Sequence, residues 1–442
     1  MKTEELKENF KGHVQQFEDG GLRLLKKGQK GIIHAIFSRF GLILLLLLLQ
    51  VWLLYGLFRW FGNLLPHYFG SSVLISTGMV IYLLNSEMDN SAKITWMVVV
   101  AIAPVVGIPM FFYVKSNFGH NILRKRLLEL EDQLRGWLPQ SQKAVEQLKE
   151  LEPGAASLAK YLYGRGGGFP VYQNTAMTYF PGVEAKFEEL LRQLETAEEY
   201  IFVEYFIIDE GLMWGKILEV LARKALQGVD VRVMYDGTCE FSTLPRNYPR
   251  LLEKLNIQCK VFSPVQPFVS THYNYRDHRK ILVIDGRVGF TGGVNLADEY
   301  INHIQKHGRW KDAAVMLEGE AVHSLTAQFL QMWGILKEPE YEQFLTRPIP
   351  VPENAKGVAA PYGDCPLDGE RVGEMVYIDL LNRARDYIHI MTPYLILDGE
   401  LETALKFAAE RGVDVHLILP GKPDKRFPYA LAKSHYSALL DS

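Results

Sequence analysis

Asp277-His278-Arg279-Lys280-Ile281-Leu282-Val283-Ile284-Asp285-Gly286, continued by Gly289-Phe290-Thr291-Gly292-Gly293-Val294-Asn295, is the stretch on which the reading of this 442-residue chain turns. Residues 279–284 are rich in branched apolar side chains and closed by Asp-Gly, a pattern that predicts a β-strand. Side chains on a strand alternate faces at roughly 3.3 Å per residue, so His278 and Lys280 share a face about 6.6 Å apart. Arg279, Ile281 and Val283 point the other way. One face thus offers a nucleophile or acid/base beside a fixed positive charge. The Gly-Gly turn and Asn295 supply backbone N–H groups and an amide suited to an anion. A histidine that attacks phosphorus needs such surroundings, because charge on the phosphoryl oxygens must be held while it is redistributed. The blander reading is a buried amphipathic strand whose histidine and lysine merely reach solvent.

His-x-Lys-x4-Asp followed by Gly-Gly-x-Asn resembles the HKD motif of the phospholipase D superfamily. The lead-in Asn274-Tyr275-Arg276-Asp277 and the trailing Asp298-Glu299-Tyr300 resemble bacterial cardiolipin synthases in particular. Three fixed residues alone are a weak pattern; the whole run from Asn274 to Tyr300 is specific. The resemblance implies that two HKD motifs meet at a pseudo-twofold interface. One histidine attacks phosphorus to give a phosphatidyl-histidine, and the other protonates the departing alcohol and deprotonates the incoming one. An alkoxide is a poor leaving group at neutral pH, so a positioned acid is worth about 10²–10⁴-fold.

By this resemblance His278 is the nucleophile, or the acid/base partner if the roles are exchanged. Lys280 neutralises the phosphoryl oxygens. Asp285 closes the motif, and also has a simple turn role. Gly292, Gly293 and Asn295 border the phosphate. Asp312 orients a site histidine, a surface aspartate being the alternative. It follows Trp310-Lys311 where the family shows Trp-Arg-Asp, and lysine loses the bidentate fork of arginine. Glu204 belongs near the site, and a carboxylate buried there needs a partner. Tyr394, in Thr392-Pro393-Tyr394, lines the pocket. No metal site and no cofactor are implied.

The formal net charge of −3 argues against a nucleic-acid binder. Cys239, Cys259 and Cys365 are too few and too scattered for a disulfide framework or a metal cluster. Phe40–Phe58 is apolar apart from Gln50 and, as a helix, has the length of a bilayer core. Leu64–Leu84 is a weaker apolar segment, and Ile94–Val114 a third, holding Pro104, Gly107 and Pro109, which a membrane helix tolerates. Lysines and arginines before the first and after the last segment both want the cytoplasm. That requires an even number of spans, so one of the three, the second by its Pro and Ser content, is expected to be re-entrant or interfacial.

Beyond the apolar region, Asn121–Leu151 reads as a connecting helix or helix pair, Gly164–Gly168 as a flexible link, and Phe187–Glu199 as a helix. Tyr200–Asp209 is a strand, Met213–Gln227 a helix and Val229–Tyr235 a strand, the alternation of a layered α/β domain. The order repeats. A helix at 376–386, Tyr387-Ile388-His389-Ile390, a helix at 401–411 and Gly412-Val413-Asp414-Val415 match the first set, the last letter for letter with Gly228-Val229-Asp230-Val231. His278 lies 50 positions after Gly228, and the same offset from Gly412 falls past Ser442. No second His-x-Lys-x4-Asp occurs in the sequence.

The expected organisation is a cytoplasmic segment (1–39), a transmembrane region (40–116), connecting helices (117–168), a first phospholipase D-like α-β-α lobe (169–345) and a partial second lobe (346–442) lacking its HKD motif. The resemblance implies a multi-pass cell-membrane protein with its catalytic part facing the cytoplasm. Its reaction would join two phosphatidylglycerol molecules into cardiolipin with release of glycerol, without nucleic acid or cofactor. The chain as given is expected to be truncated and inactive alone, unless self-association completes the site. Rivals are a phospholipase D or phosphatidyltransferase that uses water or serine as acceptor, and a lipid-binding half-site without turnover.

Overall fold

The structure, a computed structural model, describes residues 15–16, 22–24, 48, 52, 55, 65–86, 88, 90–115, 118–263, 276–335 and 337–442. The chain divides into two compact units. One comprises Met1–Lys26, Ile122–Val265 and Tyr275–Ser442, and the other Lys27–Asn121 with Gln266–Asn274.

The larger unit is built on a seven-stranded mixed sheet. Its strands are β1 (Thr175–Phe180), β2 (Tyr200–Tyr205), β3 (Asp230–Asp236), β4 (Gln258–Phe262), β5 (Lys280–Ile284), β6 (Val288–Gly292) and β7 (Ala314–Gly319), in the order β1-β7-β6-β5-β2-β3-β4. β2, β3 and β4 run parallel, joined by helical crossovers, the second through Tyr248–Glu253 (α9), while β5, β6 and β7 form an antiparallel meander. The two halves meet where β5 lies antiparallel to β2, Glu204 facing Ile281 and Tyr205 facing Lys280. All six residues of β2 and all five of β5 are buried, as strands covered on both faces must be.

Alternation along β2 feeds two cores. Ile201, Val203 and Tyr205 pack with Leu282 and Ile284 beneath the helices Val183–Leu194 (α7) and Leu212–Leu226 (α8). Tyr200 and Phe202 pack with Ile281 and Val283 beneath Val322–Trp333 (α10), where Phe202 stacks on Phe329 at 4.4 Å. The expected connecting helices are Phe118–Trp137 (α4) and Gln142–Leu151 (α5), and α4 does more than connect. Leu127, Leu134 and Leu138 join the α10 core, and Arg126 donates to the carbonyl of Lys337 at 2.8 Å.

The link 164–168, expected to be flexible, is packed. It follows the helix Pro153–Gly164 (α6), and Gly167 and Gly168 have φ of +92° and +79°. A Cβ on Gly168 would lie 2.8 Å from the Arg135 side chain. Glycine is used here for a tight reversal.

The second set of elements is α11 (Val372–Arg383), β8 (Tyr387–Met391), α12 (Gly399–Glu410) and β9 (Asp414–Ile418), with the helices Arg426–Ser434 (α13) and Tyr436–Leu440 (α14) after them. β8 pairs parallel with β9 from Tyr387–Asp414, as β2 pairs with β3 from Tyr200–Asp230. Gly228 and Gly412 stand at equivalent turns with φ of +92° and +89°.

Of the apolar segments, Phe40–Phe58 lies almost wholly outside the described residues. The second forms α1 (Leu65–Leu84). The third is not one helix. It breaks at Ala103 into α2 (Asn90–Ile102) and α3 (Pro104–Lys115), because Pro104 has no N–H to continue the ladder. Among the described residues no helix is long and apolar enough to cross a membrane.

Candidate active site around His278

His278 stands one turn of pleat ahead of β5, and Lys280 is the first residue of the strand. Both lean on Phe206, which follows β2. The His278 and Phe206 rings are 4.6 Å apart, and the Lys280 Nζ lies 5.4 Å from the same ring. Lys280 is buried and donates to the His278 carbonyl at 2.6 Å, bending the ammonium back towards the histidine. Burial lowers the His278 pKa to about 4, assisted by the charges of Lys280 and Lys425. Burial also lowers Lys280 to about 8, against the opposing pull of Asp277 and Asp312. At neutral pH the site therefore presents an uncharged imidazole, the form with a free electron pair, beside ammonium groups able to meet an anion.

The Gly-Gly turn is a wall, and its polar groups are already engaged. Gly293 N–H donates to the Ala313 carbonyl at 3.1 Å. Asn295 accepts from the Ile207 N–H at 3.1 Å and donates to the Tyr300 hydroxyl at 3.0 Å. Gly292 has φ +146°, and a Cβ there would lie 2.6 Å from the Ala313 carbonyl. A Cβ on Gly293 would lie 2.1 Å from the Asp312 carboxylate, so that glycine makes room for the aspartate. Asp312 accepts from Trp310 Nε1 at 3.2 Å and from Ala313 N–H at 2.8 Å, and its charge reaches Lys280.

Two proposed site residues stand elsewhere. Asp285 sits at the far end of β5, with φ +50°. Its carboxylate accepts from the N–H groups of Glu198, Glu199 and Tyr200 at 2.9, 2.8 and 2.8 Å, so it ties the start of β2 to β5 and does not approach His278. Glu204 lies on the strand face opposite Lys280, wholly buried beside Asp277 and 3.8 Å from Arg279. Neither Glu204 oxygen meets a donor, nor does Asp277 Oδ2. A proton shared between the two carboxyls would supply the missing bond. Burial, then the Asp277 charge, pushes the Glu204 pKa well above the usual range.

Tyr394 does not line the cleft beside His278 but stands next to the loop that carries Lys425. Its hydroxyl bonds the Asp424 carboxylate, and the Lys425 Nζ sits 5.2 Å from its ring. Lys425 is close enough to His278 to depress its pKa. Lys186 is also new. It is 2 % exposed on α7, and its Nζ lies 3.4 Å from the Tyr205 hydroxyl. Burial brings its pKa to about 7, with Asp312 opposing. Its signal was present, since Val183, Lys186, Phe187 and Leu190 share the apolar stripe of the helix. A cleft of about 780 Å³ opens beside the strand entry, lined by His278, Arg279, Lys280, Leu127, Leu325 and Met332 among others.

An imidazole and an ammonium set on a strand of a mixed α/β sheet, followed by Gly-Gly-x-Asn, define the phospholipase D class of site. The family model described as "Cardiolipin synthase, PLD-like domain" matches residues 190–333 and 377–442. A cardiolipin synthase of Geobacillus kaustophilus is 33 % identical over 393 residues, covering 87 % of this chain and 76 % of that protein. An uncharacterized protein of Streptococcus mutans is 55 % identical over 366 residues, covering 83 % and 79 %. Among solved structures, a phosphatidylserine synthase of Haemophilus influenzae is similar with a TM-score of 0.42 and 14 % identity, over 61 % of this chain and 69 % of that one. The chain belongs to the cardiolipin synthase family of the phospholipase D superfamily.

Proposed function

We propose that this chain carries one histidine half of a membrane-attached phosphatidyltransferase that makes cardiolipin from two phosphatidylglycerol molecules, releasing glycerol. The observation that carries this reading is the His278 imidazole set 4.6 Å from the Phe206 ring, with the buried Lys280 ammonium bonded to the His278 carbonyl beside it. In the proposed first step His278 attacks phosphorus, the P–O bond to glycerol breaks, and an acid protonates the departing oxygen. In the second, the hydroxyl of another phosphatidylglycerol loses its proton to that same base and displaces His278. One phosphodiester replaces another, so no nucleotide is consumed. Lys280 and Lys425 stabilise the extra charge on the phosphoryl oxygens. Asp312 acts through Lys280, and the apolar wall of Leu127, Leu325 and Met332 suits acyl chains.

The acid/base role needs a second imidazole, and the sequence has one His-x-Lys-x4-Asp. We assign that partner to a second motif, from a continuation of the chain or from a second copy. Membrane attachment, with the catalytic part on the cytoplasmic side, belongs to the same reading. It is supported by the apolar segments before residue 116 and the basic residues flanking them.

The test supplies phosphatidylglycerol vesicles and measures cardiolipin against phosphatidic acid. Monodisperse monomers of the 442-residue chain are expected to make neither, whereas a form extended through a second motif makes cardiolipin. His278→Ala in that form is expected to lower the rate by at least about 10³-fold. An unchanged rate overturns the role of His278, and vigorous synthesis by the monomer overturns the half-site. Phosphatidic acid as the sole product would favour a water-using phospholipase D.

A further inference from the structure

Trp96 and Phe111 would stand about 22 Å apart on a continuous helix. Their rings meet edge to face at 5.2 Å. A Cβ on Gly107 would lie 3.0 Å from the Val99 carbonyl, so that glycine is where the two arms close on each other. The chain thus reverses at Ala103-Pro104, and α2 and α3 lie side by side. Both arms end beside the last turn of α1. Lys93 Nζ lies 3.4 Å from the Leu84 carbonyl, and Lys115 donates to the Tyr82 hydroxyl at 2.7 Å. Both charged ends therefore stand at one level, and the Ala103-Pro104 tip at the other.

Met79, Leu83, Val100 and Phe111 fill the interior of the three helices. The outside is apolar as well: Leu74, Ile81, Ile94, Val98, Ile102 and Phe112 are all exposed, Ile102 at 77 %. Two threonine hydroxyls on these helices are turned to their own backbone. Thr77 bonds the Val73 carbonyl and Thr95 the Ser91 carbonyl, both at 2.8 Å. At the tip, the N–H groups of Ala103, Val106 and Gly107 are bonded, and Pro104 has none to satisfy. These are the conditions that hydrocarbon sets and water does not.

We propose that Asn90–Lys115 is a re-entrant hairpin, entering and leaving the acyl region of a phospholipid bilayer by the same face. The inference rests on the membrane-attached reading above and deepens it. Measured from Lys93 and Lys115 to the tip, the arms rise about 14 and 17 Å, roughly to the middle of a hydrocarbon core of about 30 Å and short of its far side. Lys93 and Lys115 would then sit together at the headgroups, where cations meet anionic lipid. Such a segment does not change the side of the chain, so it drops out of the count of spans. The fold-back falls on the third apolar segment and not on the second.

Single cysteines test it in vesicles, with a membrane-impermeant, mass-tagged maleimide added outside or enclosed within. The parent chain sets the background from Cys239, Cys259 and Cys365. Asn90→Cys and Lys115→Cys are expected to be tagged from the same side. Ile102→Cys is expected to be tagged from neither, yet to react with a lipid-soluble maleimide. Tagging of Asn90→Cys and Lys115→Cys from opposite sides, or of Ile102→Cys by the impermeant reagent, overturns the hairpin and leaves membrane attachment standing. A chain recovered free of the vesicles overturns attachment itself.

Discussion

At the scale of single residues, two groups have shifted protonation: His278, exposed at the entry to β5, and Glu204, buried on β2. His278 titrates at about 4 in the folded chain, against about 6.5 unfolded. The unfolded state then binds the proton more readily, so this group costs stability as pH falls from about 6.5 to about 4. NMR titration of the imidazole should show Lys280→Met raising the pKa and Lys425→Met raising it by less. An unmoved value in the second variant would remove Lys425 from the site. Glu204 shifts the other way, so the folded chain keeps its proton above the unfolded pKa of about 4.3. Its share of stability is present below that pH and is lost as pH rises towards the folded value. Glu204→Gln should therefore stabilise the fold by about 1–3 kcal/mol at pH 8, with the gain vanishing near pH 4 in urea titrations. Equal pH sensitivity in variant and parent would refute the shared proton. Asp285 is different again, because its three backbone bonds are structural. Asp285→Ala should cost about 2–4 kcal/mol, and Asp285→Asn less, with the His278 titration unchanged in both.

At the scale of elements, local pattern predicted most of what forms. The strand from Tyr200 ends at Tyr205 and not at Asp209, because the ladder partner across it begins at Lys280. That early end frees Phe206 to turn under His278. The run Asp298-Glu299-Tyr300, read only as a family signature, has a mechanical explanation. Asp298 accepts from the N–H groups of Leu212 and Met213 at 2.9 and 2.8 Å and caps α8, while Tyr300 holds Asn295. Asp298→Ala should destabilise the fold by about 1–2 kcal/mol, measured by urea unfolding. Gly211→Ala should cost at least as much, since its Cβ would lie 2.3 Å from the same carboxylate. The link 164–168 was misread because glycine runs signal flexibility in composition, whereas here positive φ and close packing require them.

At the scale of the whole chain, the two α/β sets share a register but contribute unlike groups. In the proposed site the first supplies His278 and Lys280, while the second carries Lys425 on a loop beside Tyr394 and Asp424. The bond between Tyr394 and Asp424 holds the loop that carries Lys425. Tyr394→Phe should loosen that loop and raise the His278 pKa towards its ordinary value, a shift the same NMR titration reads. No change would mean that Lys425 is positioned by other contacts.

The sequence by itself determined the strand Lys280–Ile284, the alternation that puts His278 and Lys280 together, the repeated α/β units and the family. These depend on neighbours one to four positions apart, or on letters in a fixed order. Only the tertiary structure decided that Glu204 meets Asp277, that Lys186 is enclosed, that the Lys425 charge is felt at His278 and that Asp285 is a clamp. Each of these is a meeting of groups set far apart along the chain. Whether a charge is buried or paired is fixed by what packs against it, which leaves no local mark in the order of residues.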